Sequence, residues 1–357
     1  MTSVTDLREV VDVVIGIDTH VDTHSAAVVD ARTGAVLDQL TVEATADGYT
    51  QLSEFVDEHA ALRAWAIEGT GSFGAGLTRY LIGREEIVVE LDRPVRAKRR
   101  NGAKSDPLDA VRAAREALAR TRLGAPRGTG EHAADRQALA VLLTVRRSAV
   151  DAASDAQRQL FSLVIAAPER IRERFRGLKA AAMPATALAL RTRSGSDIDT
   201  ITTAIALRTL ARRIRALTDE AAEHERAILA IVRSWRPDLL AQRGVGPIVA
   251  ATVLCAWSHP GRIHSEAAFA MLAGTAPLPA NSGQTTTRYR LNRRGDRQLN
   301  RALHIIALSR LRYDERTRAY AARRTTEGKT PREIKRCLKR YITRDLYKLL
   351  EQGPTTT

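Results

Sequence analysis

Apolar and polar positions follow one another in the N-terminal third of the chain in a pattern that predicts strands and helices in a definite order. Continuous apolar, β-branched runs predict buried strands, and apolar residues that recur at helical spacing predict amphipathic helices. The predicted strands are residues 13–18, 25–30, 35–42, 63–67 and 87–91. The predicted helices are residues 49–56 and 75–81, followed by a helix that begins at Asp106. The order βββαβαβα indicates an α/β domain on a five-stranded mixed sheet.

The rest of the chain has a mainly helical pattern, which begins after a Pro- and Gly-containing linker at residues 125–130. Apolar residues step by three and four from Leu142 to Leu163 and again from Leu207 to Ile231. Two long amphipathic helices of this kind predict either an antiparallel pair within one chain or a coiled coil between chains. We therefore predict an α/β domain, a helical coiled-coil domain and a mainly helical C-terminal domain, at residues 1–125, 126–236 and 237–357.

The charge of the chain is strongly positive and unevenly distributed. The formal net charge is +15 and the sequence pI is about 10.5. Residues 1–92 contain 5 Lys or Arg and 17 Asp or Glu, a net charge of −12. Residues 288–345 contain 19 Lys or Arg and 6 Asp or Glu, a net charge of +13. This separation favours a metal-binding part, a phosphate-binding part and a nucleic-acid partner; the alternative is two solvated charged faces.

Cysteine content and hydrophobicity exclude several classes of protein. Cys255 and Cys337 are the two cysteines, which are too few for a disulfide framework and lack zinc-site spacing. The N-terminus is acidic and lacks the apolar segment of a signal peptide. The longest apolar run, residues 245–257, is too short to span a bilayer. We expect a cytoplasmic protein without a membrane partner.

Four acidic residues fall at positions that this α/β order can bring together. Asp18 ends the first predicted strand, Glu68 ends the fourth, and Asp106 and Asp109 open the third helix. Residues three apart share a helix face, so the last two can point at one spot. Carboxylates without His or Cys partners suit Mg²⁺ or Mn²⁺, and two such ions can clamp a phosphodiester. The alternative is a capped helix, with Asp106 as the N-cap and Asp109 favouring the positive helix end.

Two other patterns in the same domain favour different chemistry. Residues Gly69 to Gly74 match the G-x-G-x-x-G pattern of dinucleotide sites, and Glu90 follows where a ribose-binding acid would lie. We disfavour a dinucleotide site because these glycines follow the fourth strand rather than the first strand of a βαβ unit. His20 and His24 are candidate ligands, although such positions are more typical of a polar strand end and its loop.

The C-terminal region contains two candidate phosphate-binding features. Gly244 and Gly246 precede an apolar helix, as in a helix-hairpin-helix element whose backbone amides bind phosphate; the alternative is an ordinary tight turn. Ser282 lies in a predicted loop at residues 275–294, and arginines follow it. Arginine binds phosphate in a bidentate manner, so this serine can face a DNA strand, although a serine in a loop is usually only a turn residue. These arginines are Arg288, Arg290, Arg293 and Arg294.

Five short motifs together resemble the DEDD transposases of the IS110 family of insertion sequences. The motifs are Gly16-Ile17-Asp18, Glu68-Gly69-Thr70-Gly71, Lys104-Ser105-Asp106-Pro107-Leu108-Asp109-Ala110, Gly244-Val245-Gly246-Pro247 and Ser282-Gly283. The resemblance extends from Val13 to Tyr347. It implies an RNase H-like (RuvC-like) N-terminal domain, a central coiled coil and a C-terminal transposase domain.

The resemblance also implies roles for individual residues. The carboxylates of the family fall on Asp18, Glu68, Asp106 and Asp109, which would bind Mg²⁺, and its nucleophilic serine falls on Ser282. The implied reaction is attack of this serine on a DNA phosphodiester to form a transient phosphoserine link. The resemblance further implies a homo-oligomer, a dimer or tetramer with active sites shared between protomers, and a structured guide RNA that pairs with target and donor DNA.

Two alternatives to a serine-using transposase stay open. One is a RuvC-like nuclease that uses metal-activated water and in which Ser282 is only a turn residue. The other is a non-catalytic nucleic-acid-binding protein held together by its coiled coil. The four acids argue against the second alternative, whereas the resemblance alone separates the transposase from the nuclease.

Overall fold

The computed structural model describes residues 6–91, 106–192, 195–279, 289–292 and 295–353. The chain folds into two compact units. The first contains Met1–Ala134 and Trp257–Ala268, and the second contains Asp135–Ala256 and Phe269–Thr357. The first unit is therefore discontinuous in sequence, because a segment from the C-terminal half of the chain completes it. The three-domain division that we infer from the sequence stays a prediction.

The first unit is built on a five-stranded mixed sheet. Its strands are β1 (Val13–Thr19), β2 (Thr23–Asp30), β3 (Val36–Glu43), β4 (Arg63–Glu68) and β5 (Ile87–Leu91). Their spatial order is β3-β2-β1-β4-β5; β1, β2 and β3 pair antiparallel, and β1, β4 and β5 pair parallel. Its helices are α1 (Ala46–Asp57), α2 (Ala75–Gly83) and α3 (Asp106–Ala119). The predicted order βββαβαβα is confirmed.

Helices cover both faces of this sheet, because alternate residues of each strand point to opposite sides. On one face, α1 and α2 pack against odd-numbered residues of β1 and β4, such as Ile15 and Trp65. On the other face, α3 packs its alanines against even-numbered residues of the same strands, such as Val14 and Ala66. The face under α3 is therefore lined by smaller side chains, which lets that helix lie close to the sheet.

The second unit contains two long helices that pack antiparallel. Its first four helices are α4 (Ala133–Ala166), α5 (Glu169–Arg172), α6 (Met183–Leu188) and α7 (Ile198–Trp235), of which α4 begins at the end of the first unit. Arg146 of α4 is ion-paired with Glu225 of α7 at 2.8 Å, and Leu160 shares a core with Leu207. Residue numbers therefore increase along α4 in the direction in which they decrease along α7, so the two helices run antiparallel. The antiparallel pair within one chain is confirmed, and a coiled coil between chains stays a prediction.

The remaining elements are short helices, a strand pair and three basic helices. They are α8 (Pro237–Leu240), α9 (Pro247–Trp257), α10 (Glu266–Leu272), β6 (Pro277–Pro279), β7 (Tyr289–Leu291), α11 (Arg297–Tyr313), α12 (Glu315–Thr326) and α13 (Pro331–Glu351). Because β6 and β7 pair antiparallel, the prediction of a loop over all of residues 275–294 is wrong at its two ends. Two prolines hide the strand pattern of β6, since proline lacks the N–H of a ladder and is confined to edge positions.

The predicted fold class, α/β plus all-α with an RNase H-like five-stranded sheet and a mainly helical C-terminal region, is confirmed. Among the described residues, no helix is both long enough and apolar enough to cross a membrane.

Candidate metal centre

Asp18 and Glu68 lie at the same end of two neighbouring parallel strands. Ile17 of β1 is paired with Ile67 of β4, so the next residue on each strand is the acid. Side chains alternate along a strand, and the even-numbered residues of β1 and β4 face α3. By this alternation both acids belong to the sheet face that α3 covers. The hydroxyl of Thr19 donates to the backbone oxygen of Glu68 at 3.1 Å and joins the two strand ends.

Gly16 allows α3 to lie directly on β1. A Cβ at this position would stand 2.0 Å from the carbonyl oxygen of Ala110 and 2.5 Å from the backbone nitrogen of Ala114. Both are backbone atoms of α3, so no side-chain rotation could relieve such a contact. The close approach brings the first turn of α3, which contains Asp106, to the end of β1 that carries Asp18.

Asp18, His20 and Asp106 converge at this point. The Nε2 atom of His20 lies 3.7 Å from Oδ2 of Asp18 and 3.6 Å from Oδ1 of Asp106. One ligand atom from each residue lies within 4.8 Å of the other two. The side chains of His20 and Asp106 are 42% and 44% exposed, whereas that of Asp18 is 18% exposed. The cluster therefore has an enclosed base and an open rim that a large substrate can reach.

Two carboxylates and an imidazole at this separation form a donor set for a divalent metal ion. Carboxylate oxygens suit Mg²⁺ and Mn²⁺, and an imidazole extends the range to other transition metals. Carboxylates this close repel each other, and a cation between them removes that repulsion. The residues present therefore fit a divalent cation.

The other two predicted acids stand outside this group of three. Oδ1 of Asp109 accepts a hydrogen bond from Nη1 of Arg112 at 2.6 Å, in an ion pair along the surface of α3. Glu68 is half-buried at the end of β4 and does not belong to the three-residue cluster. Of the four predicted acids, the structure thus brings Asp18 and Asp106 together, and it adds His20.

His20 is the site residue that sequence reasoning underestimated. It follows the end of β1, and its backbone N–H donates to the carbonyl oxygen of Thr23 at 3.0 Å, which closes the tight turn into β2. The turn holds the imidazole beside Asp18 instead of in an open loop. The available signal was the short spacing between two predicted strands, which requires a tight turn at the strand end.

His24 lies in the core and not in the cluster. It is fully buried in β2, and its ring stacks on Tyr49 with centroids 5.8 Å apart. Burial lowers the pKa of its imidazole, so the neutral form is favoured.

Glu90 is a buried carboxylate that is ion-paired with two arginines of the first unit. Its Oε1 lies 3.2 Å from Nε of Arg127, and its Oε2 lies 3.2 Å from Nη2 of Arg262. The side chains of Glu90 and Arg262 are each 5% exposed. Because arginines engage both of its carboxylate oxygens, Glu90 has a structural role as an ion-pair partner in the first unit.

The paired glycines before α9 form a turn that packs on α11. Gly244 has a φ of +86°, and a Cβ there would approach Cβ of Ser309 to 3.1 Å. Gly246 has open space around it, and its carbonyl oxygen accepts a hydrogen bond from the N–H of Ala250 in the first turn of α9. Phosphate binding by this element stays a prediction.

Most of the other predicted C-terminal site residues lie outside the described residues. These are Ser282, Arg288, Arg293 and Arg294. Arg290 lies in β7, paired with Leu278 of β6. The nucleophilic and phosphate-binding roles of these five residues stay predictions.

Comparisons with known proteins agree with the order of the two regions. Residues 15–166 match a family model described as "Transposase" and named for the DEDD transposases of IS110. Residues 238–322 match a family model described as "Transposase IS116/IS110/IS902 family". A curated relative, the "Insertion element IS900 uncharacterized 42 kDa protein" of Mycobacterium paratuberculosis, is 34% identical over 123 residues. That match covers 34% of this chain and 31% of the relative, so it spans less than a third of the relative's length.

The two family matches cover different parts of the structure. The first begins within β1 and ends with α4, so it includes Asp18, His20 and Asp106. The second extends from α8 into α12 and includes the β6–β7 pair. Both occur in the order that the sequence motifs predict, and over these two regions the chain is similar to the transposases of the IS110 family.

Proposed function

We propose that the protein is a DNA transposase that cuts and rejoins DNA with the help of a divalent metal ion. The observation that carries this proposal is the convergence of Asp18 and Asp106 on His20 at the end of an RNase H-like sheet. The two transposase family matches support it. The net charge of +13 over residues 288–345 supplies the attraction for a DNA backbone.

Asp18, His20 and Asp106 would hold the ion, and Glu68 and Asp109 would be further ligands from the same part of the unit. Mg²⁺ or Mn²⁺ suits the carboxylates. When bound, the ion would activate the attacking oxygen and stabilise the charge that develops on the phosphate. Asp109 would have to leave its ion pair with Arg112 to bind the ion.

For the nucleophile we propose Ser282. Its Oγ would form a bond to a backbone phosphorus while the bond from that phosphorus to a sugar oxygen breaks, and the hydroxyl proton would leave to solvent. Because the phosphoserine diester retains the energy of the original bond, transfer to another sugar hydroxyl would reseal the strand without ATP. Several arginines follow Ser282 in sequence. Because arginine can bind phosphate in a bidentate manner, their position supports this role.

We also propose that an element-encoded structured RNA pairs with donor and target DNA, and that the protein acts as a dimer or tetramer. Delegating sequence recognition to base pairing leaves the protein to bind backbones, which suits its net charge of +15. The long α4 and α7 helices offer a surface for association between copies. Both proposals rest on the family resemblance.

A RuvC-like nuclease is the alternative that one observation favours. Asp18, His20 and Asp106 all belong to the first unit, so a metal-activated water could cut DNA there without any residue of the second unit. This alternative predicts cutting without a protein–DNA adduct.

A denaturing gel separates these functions. The full-length protein, purified with RNA from a host that carries the native flanking DNA, is incubated with element-end DNA and Mg²⁺ or Mn²⁺. The test variants are Ser282→Ala and Asp106→Asn. The matched controls are Ser162→Ala, at an exposed position of α4, and Asp47→Asn, at an exposed position in the first turn of α1.

A covalent adduct that both test variants abolish and both controls retain supports a serine-using transposase. Cutting without an adduct, retained in Ser282→Ala and lost in Asp106→Asn, supports the nuclease. Salt-sensitive binding without cutting in either metal supports a non-catalytic binding protein.

A further inference from the structure

A basic cavity of about 570 Å³ lies in the second unit, between α11, α13 and the foot of the β6–β7 pair. Helices α11 and α13 pack together through buried apolar residues such as Leu303 and Leu338. Gly274 precedes β6, and Asn292 and Gly295 follow β7, so these three residues form the side of the cavity next to the strand pair. A volume of this size is typical of ligand-binding cavities, whose range is about 300–1,000 Å³.

The lining of this cavity carries positive charge from two helices. Arg297 comes from α11, and Arg332, Lys335, Arg336 and Lys339 come from α13. The spacing of the four α13 residues places them along one helix face. Among the described residues that line the cavity, none is acidic.

The base of the cavity is fixed by hydrogen bonds. Nζ of Lys339 donates to Oδ1 of Asn300 at 2.5 Å, and Nδ2 of Asn300 donates to the carbonyl oxygen of Ala273 at 2.7 Å. A Cβ at Gly295 would stand 2.2 Å from the backbone nitrogen of Gly274, so the two backbones meet in close contact. A fixed base of this kind holds its charges in place before any ligand arrives.

The positive groups of the cavity also act on one another. Burial, and then the charge of Arg336, lower the pKa of Lys339. Burial, and then the charges of Lys339 and Lys335, lower the pKa of His304, which also lines the cavity. No described carboxylate forms an ion pair with Lys335, Arg336 or Lys339. An anion in the cavity would relieve this repulsion.

We propose that this cavity binds a backbone phosphate of the nucleic acid, with Arg332, Lys335 and Arg336 as the contacting cations and Lys339 at the base. Guanidinium groups fit phosphate oxygens in a bidentate manner, and lysine adds a point charge. The inference rests on the proposed function only in taking nucleic acid as the substrate. It assigns phosphate binding to residues other than those of the candidate metal centre and other than the predicted arginines that follow Ser282.

The test compares two variants of the full-length chain that lose the same charge. The cavity variant is Arg332→Gln/Lys335→Gln/Arg336→Gln. The control variant, Arg316→Gln/Arg318→Gln/Lys348→Gln, removes two arginines and one lysine that do not line the cavity. A charge-retaining variant, Arg332→Lys/Arg336→Lys, checks that the sites tolerate substitution.

Binding to a short single-stranded DNA and to an RNA of the same sequence is measured across a range of salt concentrations. The slope of log affinity against log salt is negative, and its magnitude is expected to decrease by about 0.7 for each single-strand phosphate that the cavity variant no longer binds. We expect the control and charge-retaining variants to keep the wild-type slope. A change with DNA alone, RNA alone or both supports the proposal and identifies the strand that is bound.

Equal changes in the cavity and control variants would show a general effect of charge and overturn the proposal, as would unchanged slopes in both. Thermal stabilisation by pyrophosphate, at matched ionic strength, provides a probe of free anions. If the cavity variant loses that stabilisation but keeps both nucleic-acid slopes, the cavity is a free-anion site and the backbone assignment fails. If the protein binds nucleic acid through the cavity but never cuts DNA, this inference stands and the proposed function is overturned. If the protein cuts DNA but the cavity variant keeps the wild-type slopes, the proposed function stands and this inference is overturned.

Discussion

Adding one methyl group at Gly16 is expected to separate Asp18 from Asp106 and so to disable the candidate metal centre. The new Cβ would stand 2.0 Å from the carbonyl oxygen of Ala110, whereas ordinary van der Waals contact begins at 3.4 Å. The difference, 3.4 minus 2.0, requires β1 and α3 to move apart by about 1.4 Å. The movement acts on the helix whose first turn carries Asp106.

Two opposing effects decide the stability of the Gly16→Ala variant. Replacing a strand glycine by alanine reduces the entropy of the unfolded chain and stabilises by about 0.4–1 kcal/mol where the site accommodates the methyl group. Overpacking a close-packed core costs about 1–3 kcal/mol. Because the opposing atoms belong to a helix backbone, we expect overpacking to dominate and to destabilise the protein by about 1–2 kcal/mol.

The effect on activity is expected to exceed the effect on stability. A functional group must be held within about 0.5 Å of its productive position, and a displacement of about 1 Å can lower a rate by about 100-fold. Urea denaturation measures the free energy of unfolding, and the Mg²⁺-dependent adduct or cleavage assay measures activity. The matched control is Gly83→Ala in α2, where a Cβ would meet nothing within 4 Å. A Gly16→Ala variant that is as stable and as active as Gly83→Ala would refute the argument that close approach of α3 builds the site.

Three further predictions concern groups that are buried or half-buried. Glu90→Gln is expected to lower the free energy of unfolding by about 3–5 kcal/mol in urea denaturation, because two arginines lose their buried carboxylate partner. Burial raises the pKa of Glu86, but hydrogen bonds from Arg63 and Trp65 outweigh burial and lower it. The carboxylate therefore stabilises the fold above its unfolded pKa, and this contribution is lost as the pH falls through the lower folded pKa. Glu86→Gln should destabilise the protein at about pH 7, and its difference from wild type in free energy of unfolding should shrink as the pH is lowered. Burial raises the pKa of the Cys255 thiol to about 11, so iodoacetamide at about pH 8 should label Cys337 first, as peptide mass mapping would show.

The strands of the first unit are predictable because each is a short apolar run buried by neighbouring elements. The predicted 87–91 strand is observed as Ile87–Leu91, and the predicted 13–18 strand as Val13–Thr19. The parallel pairing of β1 with β4 follows from the order of elements. The β6 strand escaped prediction because proline at both of its ends gives the sequence pattern of a loop.

The candidate site is only partly predictable, because sequence spacing indicates a shared face but not the side-chain conformation. A strand end predicts the position of Asp18 and a helix start that of Asp106, and the structure brings them together at His20. Asp109 has a competing partner, Arg112, three residues away on the same helix. His20 depends on the path of a tight turn, which residue type alone does not determine.

The predicted linker at residues 125–130 is hydrogen-bonded to other residues of the first unit. Its Pro and Gly residues suggest a spacer, but the backbone N–H of Arg127 donates to Oγ1 of Thr70 at 3.1 Å, and Oγ1 of Thr129 lies 3.0 Å from Nε2 of His259. Arg127 also contacts Glu90, which Arg262 holds from its other side.

The first unit therefore depends on residues from the C-terminal half of the chain. The chain passes between the two units three times, after Ala134, Ala256 and Ala268. A fragment of residues 1–125 would lack both arginines that engage Glu90 and would leave a buried carboxylate without them, which is a strongly destabilising arrangement. Because the sheet that carries Glu90 also carries Asp18, we expect the candidate metal centre to be disrupted in such a fragment. The fold of the first unit thus depends on both halves of the chain.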